Sequence, residues 1–261
     1  MLSAYLRPVS RSIGQCLLTY VQTREAIDYE RAVRQHEAYG RCLEELGMRV
    51  HTLPTEHELP DAVFVEDTAV VVDEVAVVTQ MGAHARRAEV VSTAAALARH
   101  RPVQRINSQG TLEGGDVVRI GRTLYVGLST RTNRDGVEQL RRILEPFDYQ
   151  VRPVAVTGCL HLGTGVSCVG GNTLLANRSW VDISQFERFD VLDTAPGEPW
   201  AANTLLVNDT VLMPGGCPQT QRMLEERGFR VRVVDISELE KAEAGLTCLS
   251  LRFNGTDADN V

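Results

Sequence analysis

The stretch Leu112–Val156 reads LEGGDVVRIGRTLYVGLSTRTNRDGVEQLRRILEPFDYQVRPVAV, and its plan decides how the rest of the chain is parsed. LEGGDVVRIGRTLYVGL has the pattern of a β-hairpin, rich in valine and leucine on both arms and turning at Gly121-Arg122. TNRDGVEQLRRILEPF follows as an amphipathic helix with Thr132 or Asn133 as its cap. YQVRPVAV supplies a further strand. Strand, strand, helix and strand thus fill a unit of about 45 residues.

Working outward, the plan recurs. Upstream, FVEDTAVVVDEVAVVTQ reads as two strands around a tight acidic turn, followed by the helix-like ARRAEVVSTAAALARH and the strand PVQRIN. Downstream, LHLGTGVSCVGGNTLLAN turns at Gly170-Gly171-Asn172 and leads to a weaker helical stretch, DISQFERF. A fourth unit is NTLLVNDTVLMPGG, turning at Asn208-Asp209, then TQRMLEERG and FRVRVVD. A fifth hairpin begins at LTCLSLRF. Its helix comes from the other end of the chain, where REAIDYERAVRQHEAYGRCLEELG forms a long amphipathic helix closed by Gly47, and MRVHTLP is its last strand. Because the last unit borrows from the first, the units predict a closed ring within a single domain, residues 1–261. The competing architecture is an ordinary mixed α/β sheet with chance spacing.

The totals narrow the function classes. With 261 residues, 43% hydrophobic and 23% charged, the chain can bury a large core. It has no run of 18 apolar residues for a bilayer and no secretory-type apolar stretch in MLSAYLRPVSRSIGQ, which predicts a cytoplasmic protein without membrane association. A net charge of -7 disfavours nucleic acid as a partner and suits a cationic ligand. The six cysteines, Cys16, Cys42, Cys159, Cys168, Cys217 and Cys248, show no CxxC pairing, so reduced thiols are expected and a structural zinc site is not.

Polar residues at the start of the otherwise apolar hairpins carry the chemistry. They are Glu66 and Asp67, Glu113 and Asp116, His161, Asn203, and Cys248. In a ring, equivalent strands converge on the axis, so these side chains would share one cleft. Cys248 is suited to attack a poorly electrophilic carbon once it reaches the thiolate form. His161 could protonate a leaving group and later activate water, with Glu113 either orienting the imidazole or gripping the substrate. Clustered Glu66, Asp67 and Glu113 would repel an oxyanion but match a planar cation, so the pattern points to thiol attack on a guanidinium or amidinium carbon. Arg86 and Arg131, each following a hairpin, are candidates for an amino-acid carboxylate. Carboxylates beside Cys248 should raise its pKa, so substrate binding itself is expected to generate the thiolate.

LPDAVFVEDTAVV, LEGGDVVRIGRTLYVGLSTRTN, LHL and LTCLS resemble, segment by segment, the dimethylarginine dimethylaminohydrolases of the guanidine-modifying (pentein) superfamily. The resemblance runs from about Ser12 to Phe253. It implies an α/β fold: a five-bladed propeller of ββαβ modules with pseudo-fivefold symmetry. It further implies Cys248 as nucleophile, His161 as general acid and base, and Glu113 as its acidic partner. Asp61, Glu66 and Asp67 resemble ligands of the substrate's guanidinium and amino ends, Arg86 and Arg131 its carboxylate ligands, and Leu18 a lid residue. The implied reaction converts Nω-methylated arginine to citrulline and a methylamine without a cofactor, in a monomer or homodimer. Zinc binding at Cys248 is implied as an inhibitory event. Family members carry lysine after HL, where this chain has Gly163.

Other readings remain at this point. One is a sister activity on the same scaffold, releasing ammonia from arginine or hydrolysing citrulline. Another is a non-catalytic propeller that binds a partner, which would predict decay of the polar cluster. A thiol-based redox or metal protein would predict paired cysteines.

Overall fold

The structure is a computed structural model that describes residues 1–107 and 109–255. Among these residues fifteen strands fall into five three-stranded sheets, and all five share one strand plan. In chain order the first elements are β1 (Leu2–Leu6), α1 (Tyr29–Glu45) and β2 (Arg49–Thr52). Next come β3 (Ala69–Val71), β4 (Ala76–Val78), α2 (Val90–Leu97) and β5 (Val103–Arg105). The unit parsed first from the sequence is β6 (Val117–Ile120), β7 (Thr123–Leu128), α3 (Arg134–Leu144) and β8 (Gln150–Ala155). It is followed by α4 (Leu162–Gly165), β9 (Val166–Gly170), β10 (Thr173–Ala176) and β11 (Asp190–Asp193). The chain closes with β12 (Leu205–Val207), β13 (Thr210–Pro214), α5 (Pro218–Glu226), β14 (Arg230–Val234), α6 (Ser237–Glu240) and β15 (Leu251–Asn254).

In every sheet the first strand runs antiparallel to the second, and the second parallel to the third. The first strands, β3, β6, β9, β12 and β15, together line a central cavity of about 470 Å³. The fold is therefore a five-bladed α/β propeller. Apolar cores sit between neighbouring blades: Val70 and Val77 pack with Leu124 and Val126, Tyr125 with Leu174 and Phe186, and Leu175 with Val211 and Met213. Each fully buried leucine or valine of this kind contributes about 1.5–3 kcal/mol, so no blade is a self-sufficient unit.

Local signals set the elements much as the sequence predicts. The turns have left-handed backbone at Gly121, Gly171 and Asn208, residue types that adopt it readily. Of the two candidate caps for α3 it is Asn133 whose side chain accepts from the Gly136 N–H. Two expectations need correction. The N-terminal helix starts at Tyr29, where Asp28 caps it, so Arg24–Ile27 belong to the loop before it. DISQFERF forms only a 3-10 turn, Ile183–Phe186, because its apolar residues are too few to cover a full helical face. The expected fifth hairpin is made by β15 and β1 from opposite ends of the chain, and this pairing closes the ring. Among the described residues no helix is long and apolar enough to cross a membrane.

Candidate active site

Before each first strand, with at most two residues between, the backbone makes a short helical turn. The five turns are Val65–Thr68, Gly114–Asp116, α4, Pro199–Ala202 and Thr247–Leu249. Glu66, Asp67, Asp116 and Cys248 lie within these turns, whereas Glu113, His161 and Asn203 flank them. The predicted convergence at the hairpin starts is thus realised, with the chemistry one step earlier in the chain, on the turns.

The turns fit against one another tightly. A Cβ on Gly114 would sit 1.9 Å from the Glu66 carbonyl oxygen, and one on Gly115 would sit 2.7 Å from both Asp67 Oδ1 and His161 Nδ1. Those contacts explain the two glycines of LEGGD: only a residue without a side chain lets the second turn reach the first and third. The Gly115 N–H then donates to Asp67 Oδ1 at 3.0 Å.

At the centre, His161 Nε2 and Glu113 Oε2 are 2.8 Å apart, and His161 Nδ1 lies 3.7 Å from Asp67 Oδ1. All three side chains are nearly or fully buried. Burial opposes a charge on His161, but the Asp67 carboxylate, the hydrogen bond to Glu113 and the nearby Asp116 outweigh it and raise its pKa to about 10. Burial likewise disfavours a charge on Glu113, yet the bond to His161 and the surrounding cations hold it well below its ordinary range. The pair therefore rests as imidazolium and carboxylate. Donor atoms of Asp67, Glu113 and His161 lie within 4.8 Å of one another, close enough to hold a metal ion. The second carboxylate of the set, Asp67, is also engaged by Arg86 at 2.7 Å, so these donors already form a connected network of ion pairs and hydrogen bonds.

Cys248 is 8% exposed, and its Sγ accepts from the Gly245 N–H at 3.5 Å. Its thiol pKa is pushed far up, first by burial and then by Glu66 and Asp67. The direction matches the sequence expectation, with burial rather than the carboxylates as the leading cause. Glu66 is only partly buried, accepts from the Thr247 hydroxyl at 2.8 Å, and has its pKa raised to about 7, chiefly by desolvation.

The two arginines differ from one another. Arg131 is buried with Nη1 at 3.5 Å from Glu113 Oε1, and that nitrogen has no hydrogen-bond partner among the described residues. Its Nη2 donates to the Thr19 hydroxyl at 2.8 Å. Arg86 is no surface cation either: it donates to Asp67 and to both oxygens of Glu89, and also to the Asp61 and Phe64 carbonyls. Asp61 accepts the Leu17 N–H on both oxygens, at 3.1 and 3.2 Å. Leu18 is half-buried and packs on the apolar cluster that contains Cys248 and Leu246. The loop carrying Leu18 thus covers the site.

Two further members of the polar set at the hairpin starts, given no chemical role by the sequence, support the site. Asp116, fully buried, accepts the Ser129 hydroxyl at 2.6 Å and the Leu162 N–H at 3.0 Å, tying the Arg131 loop to the His161 segment. Ser129 in turn accepts the Arg131 and Thr132 N–H groups. Asn203 donates to the Gly163 carbonyl and the Thr247 hydroxyl, and accepts the Thr247 N–H, so it joins the His161 and Cys248 turns. Both were visible as polar residues at hairpin starts, which was the available signal. Gly163 lies against the Gly115 carbonyl, where a Cβ would be only 3.0 Å away.

Residues 18–188 match the family model described as N,N dimethylarginine dimethylhydrolase, eukaryotic. A curated relative from Streptomyces coelicolor, an N(G),N(G)-dimethylarginine dimethylaminohydrolase, is 38% identical over 96% of both chains. A solved structure of such an enzyme from Pseudomonas aeruginosa, a cysteine-to-serine mutant complexed with citrulline, superposes with a TM-score of 0.91 at 35% identity, covering 96% of this chain and 98% of that one. A second, a histidine-to-glycine variant in an adduct with S-methyl-L-thiocitrulline, gives a TM-score of 0.92 at 35% identity, covering 96% and 99%.

Proposed function

The chain belongs to the dimethylarginine dimethylaminohydrolase family, and from that membership we propose that it hydrolyses Nω-methylated arginine to L-citrulline and dimethylamine or methylamine. The observation that carries the reading is the buried His161–Glu113 ion pair set beside Asp67 and the thiol of Cys248. The solved relatives support it through what they hold: citrulline in one, a thiocitrulline adduct in the other.

In this reading Glu66 and Asp67 receive the substrate guanidinium, and Asp61 with the Leu18 loop receives its amino end. Arg131 anchors the carboxylate; its Nη1 makes no hydrogen bond among the described residues, although it lies 3.5 Å from Glu113. Arg86, expected to share that role, is engaged by Asp67 and Glu89 and adds positive field from behind Asp67. His161 already carries a proton at neutral pH, so it does not deprotonate Cys248. The cationic substrate does that work: its charge offsets Glu66 and Asp67, the thiol loses its proton to solvent, and the thiolate attacks the guanidinium carbon. His161 passes its proton to the departing amine as the C–N bond breaks, leaving a thiouronium on Cys248. The neutral imidazole then takes a proton from water and hydroxide adds to the same carbon; as the C–S bond breaks, the added hydroxyl gives its proton to solvent, which releases citrulline as the neutral ureido group and restores the thiolate. The full chain acts as one catalytic domain. Its amino-acid substrate and unpaired cysteines suit the cytoplasm.

The test is incubation with asymmetric dimethylarginine, monomethylarginine, arginine and citrulline, with Cys248→Ser as control. Citrulline plus dimethylamine from the wild type alone is the expected result. Ammonia from arginine or citrulline, with no dimethylamine, would move the protein to a sister activity; no product from any substrate would refute the catalytic reading.

A further inference from the structure

The loop over the site is tied down at both sides of Leu18. Behind Leu17 stands Asp61, and ahead of Leu18 three successive amides converge on a single carboxylate, that of Glu243. The Thr19 N–H donates to both of its oxygens at 3.0 and 2.9 Å, and the Tyr20 and Val21 N–H groups reach Oε1 at 2.6 and 2.5 Å. Glu243 is buried, and its backbone is left-handed at φ 60°, a conformation unfavourable for any residue with a Cβ except where its surroundings impose it. It stands on the Lys241–Gly245 turn that leads into Cys248, and Gly245 of that turn donates to Cys248 Sγ. Glutamate in a conformation that favours glycine, with all the carboxylate's hydrogen bonds among the described residues made to one loop, indicates a side chain held there for what it grips.

The grip extends inward. Thr19, held through its N–H by Glu243, accepts Arg131 Nη2 on its hydroxyl; Arg131 Nη1 faces Glu113 at 3.5 Å; Glu113 holds His161. We propose that Glu243 is a positioning residue that latches the Thr19–Val21 loop shut over the site and, through Thr19, sets Arg131 for the substrate's carboxylate. With the latch formed, the closed, binding-competent loop is the dominant state; without it, the affinity falls in proportion to the closed fraction that remains.

The kinetic arm of the test rests on the dimethylarginine reading, and the exchange arm does not. Two full-length variants separate latch from turn. Glu243→Gly keeps the left-handed backbone without strain and removes the carboxylate, and Glu243→Gln keeps the side-chain length and removes the charge. Amide hydrogen exchange is followed in the peptide covering residues 17–23, alongside KM and kcat for asymmetric dimethylarginine and the melting temperature. Loss of charge-assisted bonds predicts that exchange at Thr19–Val21 accelerates by about tenfold or more in both variants, and that KM rises about tenfold while kcat changes less than about threefold. A role confined to the turn would leave the glycine variant with wild-type exchange and KM, and that result overturns the proposal. So does accelerated exchange with unchanged KM, because the loop would then be held without setting the site. If the wild type turns over none of the methylarginines, the functional reading fails and the exchange measurement alone decides the latch.

Discussion

Replacing Glu113 by glutamine removes one charge from the buried pair while keeping its shape. The rise of the His161 pKa from 6.5 to about 10 corresponds to roughly 5 kcal/mol of preference for the imidazolium, carried against burial by Asp67, Glu113 and Asp116 together. A charge-assisted hydrogen bond accounts for roughly 1.5–3 kcal/mol of that, so His161 in Glu113→Gln should titrate about one to two pH units lower. The assay is an NMR titration of the histidine rings in a Cys248→Ser background, with and without Glu113→Gln. Stability should follow the same pair. His161, with its folded pKa raised, contributes stability that is complete below pH 6.5 and is lost as pH rises through about 10. Glu113, with its folded pKa depressed, contributes above its ordinary 4.5 and loses that contribution as pH falls through the lowered value. The melting deficit of Glu113→Gln should therefore be widest between those limits, about 3 kcal/mol or roughly 6–12 °C near pH 7, and should narrow above pH 10. A His161 that titrates at the same pH in both proteins, or near 6.5 in the parent, would refute the reasoning.

Further outcomes follow from the same geometry. Arg131→Ala should raise KM for asymmetric dimethylarginine by roughly 10- to 100-fold, since a charge-assisted contact is lost, and an unchanged KM would remove it from the carboxylate site. Gly115→Ala drives a methyl group to 2.7 Å from both Asp67 Oδ1 and His161 Nδ1; it should lower stability by about 1–3 kcal/mol in denaturant titration and lower kcat at least about tenfold. Alkylation of Cys248 by iodoacetamide, located by peptide mass, should be slow at pH 7 and still rising at pH 10, because burial and the flanking carboxylates disfavour the thiolate; a plateau below neutral pH would contradict the substrate-assisted mechanism.

Much of this protein was determined by its sequence alone, because much of it is local. Hairpins announced themselves through valine-rich arms around Gly121, Gly171 and Asn208, and α3 through its apolar stripe and cap, since turn geometry and helix periodicity depend on residues a few positions apart. Five repeats of one plan then fixed the ring, and the polar residue at each hairpin start marked Glu113, His161 and Cys248. Tertiary structure decided what depends on distant partners. β1 became the middle strand of the fifth blade only because β15 and β2 flank it, a pairing that five residues of LSAYL do not specify. How an arginine is engaged is equally non-local: Arg86 and Arg131 read alike in sequence, yet one is wrapped by Asp67 and Glu89, while the other lies 3.5 Å from Glu113 with an Nη1 that makes no hydrogen bond among the described residues. Glu243 is the clearest case, an ordinary surface-type glutamate in KAEAG whose role exists only because the loop at Thr19–Val21, more than 200 residues away in sequence, folds its amides onto it. Electrostatics and hydrogen bonding act through space, and the ring closure that sets those distances is encoded by no single segment.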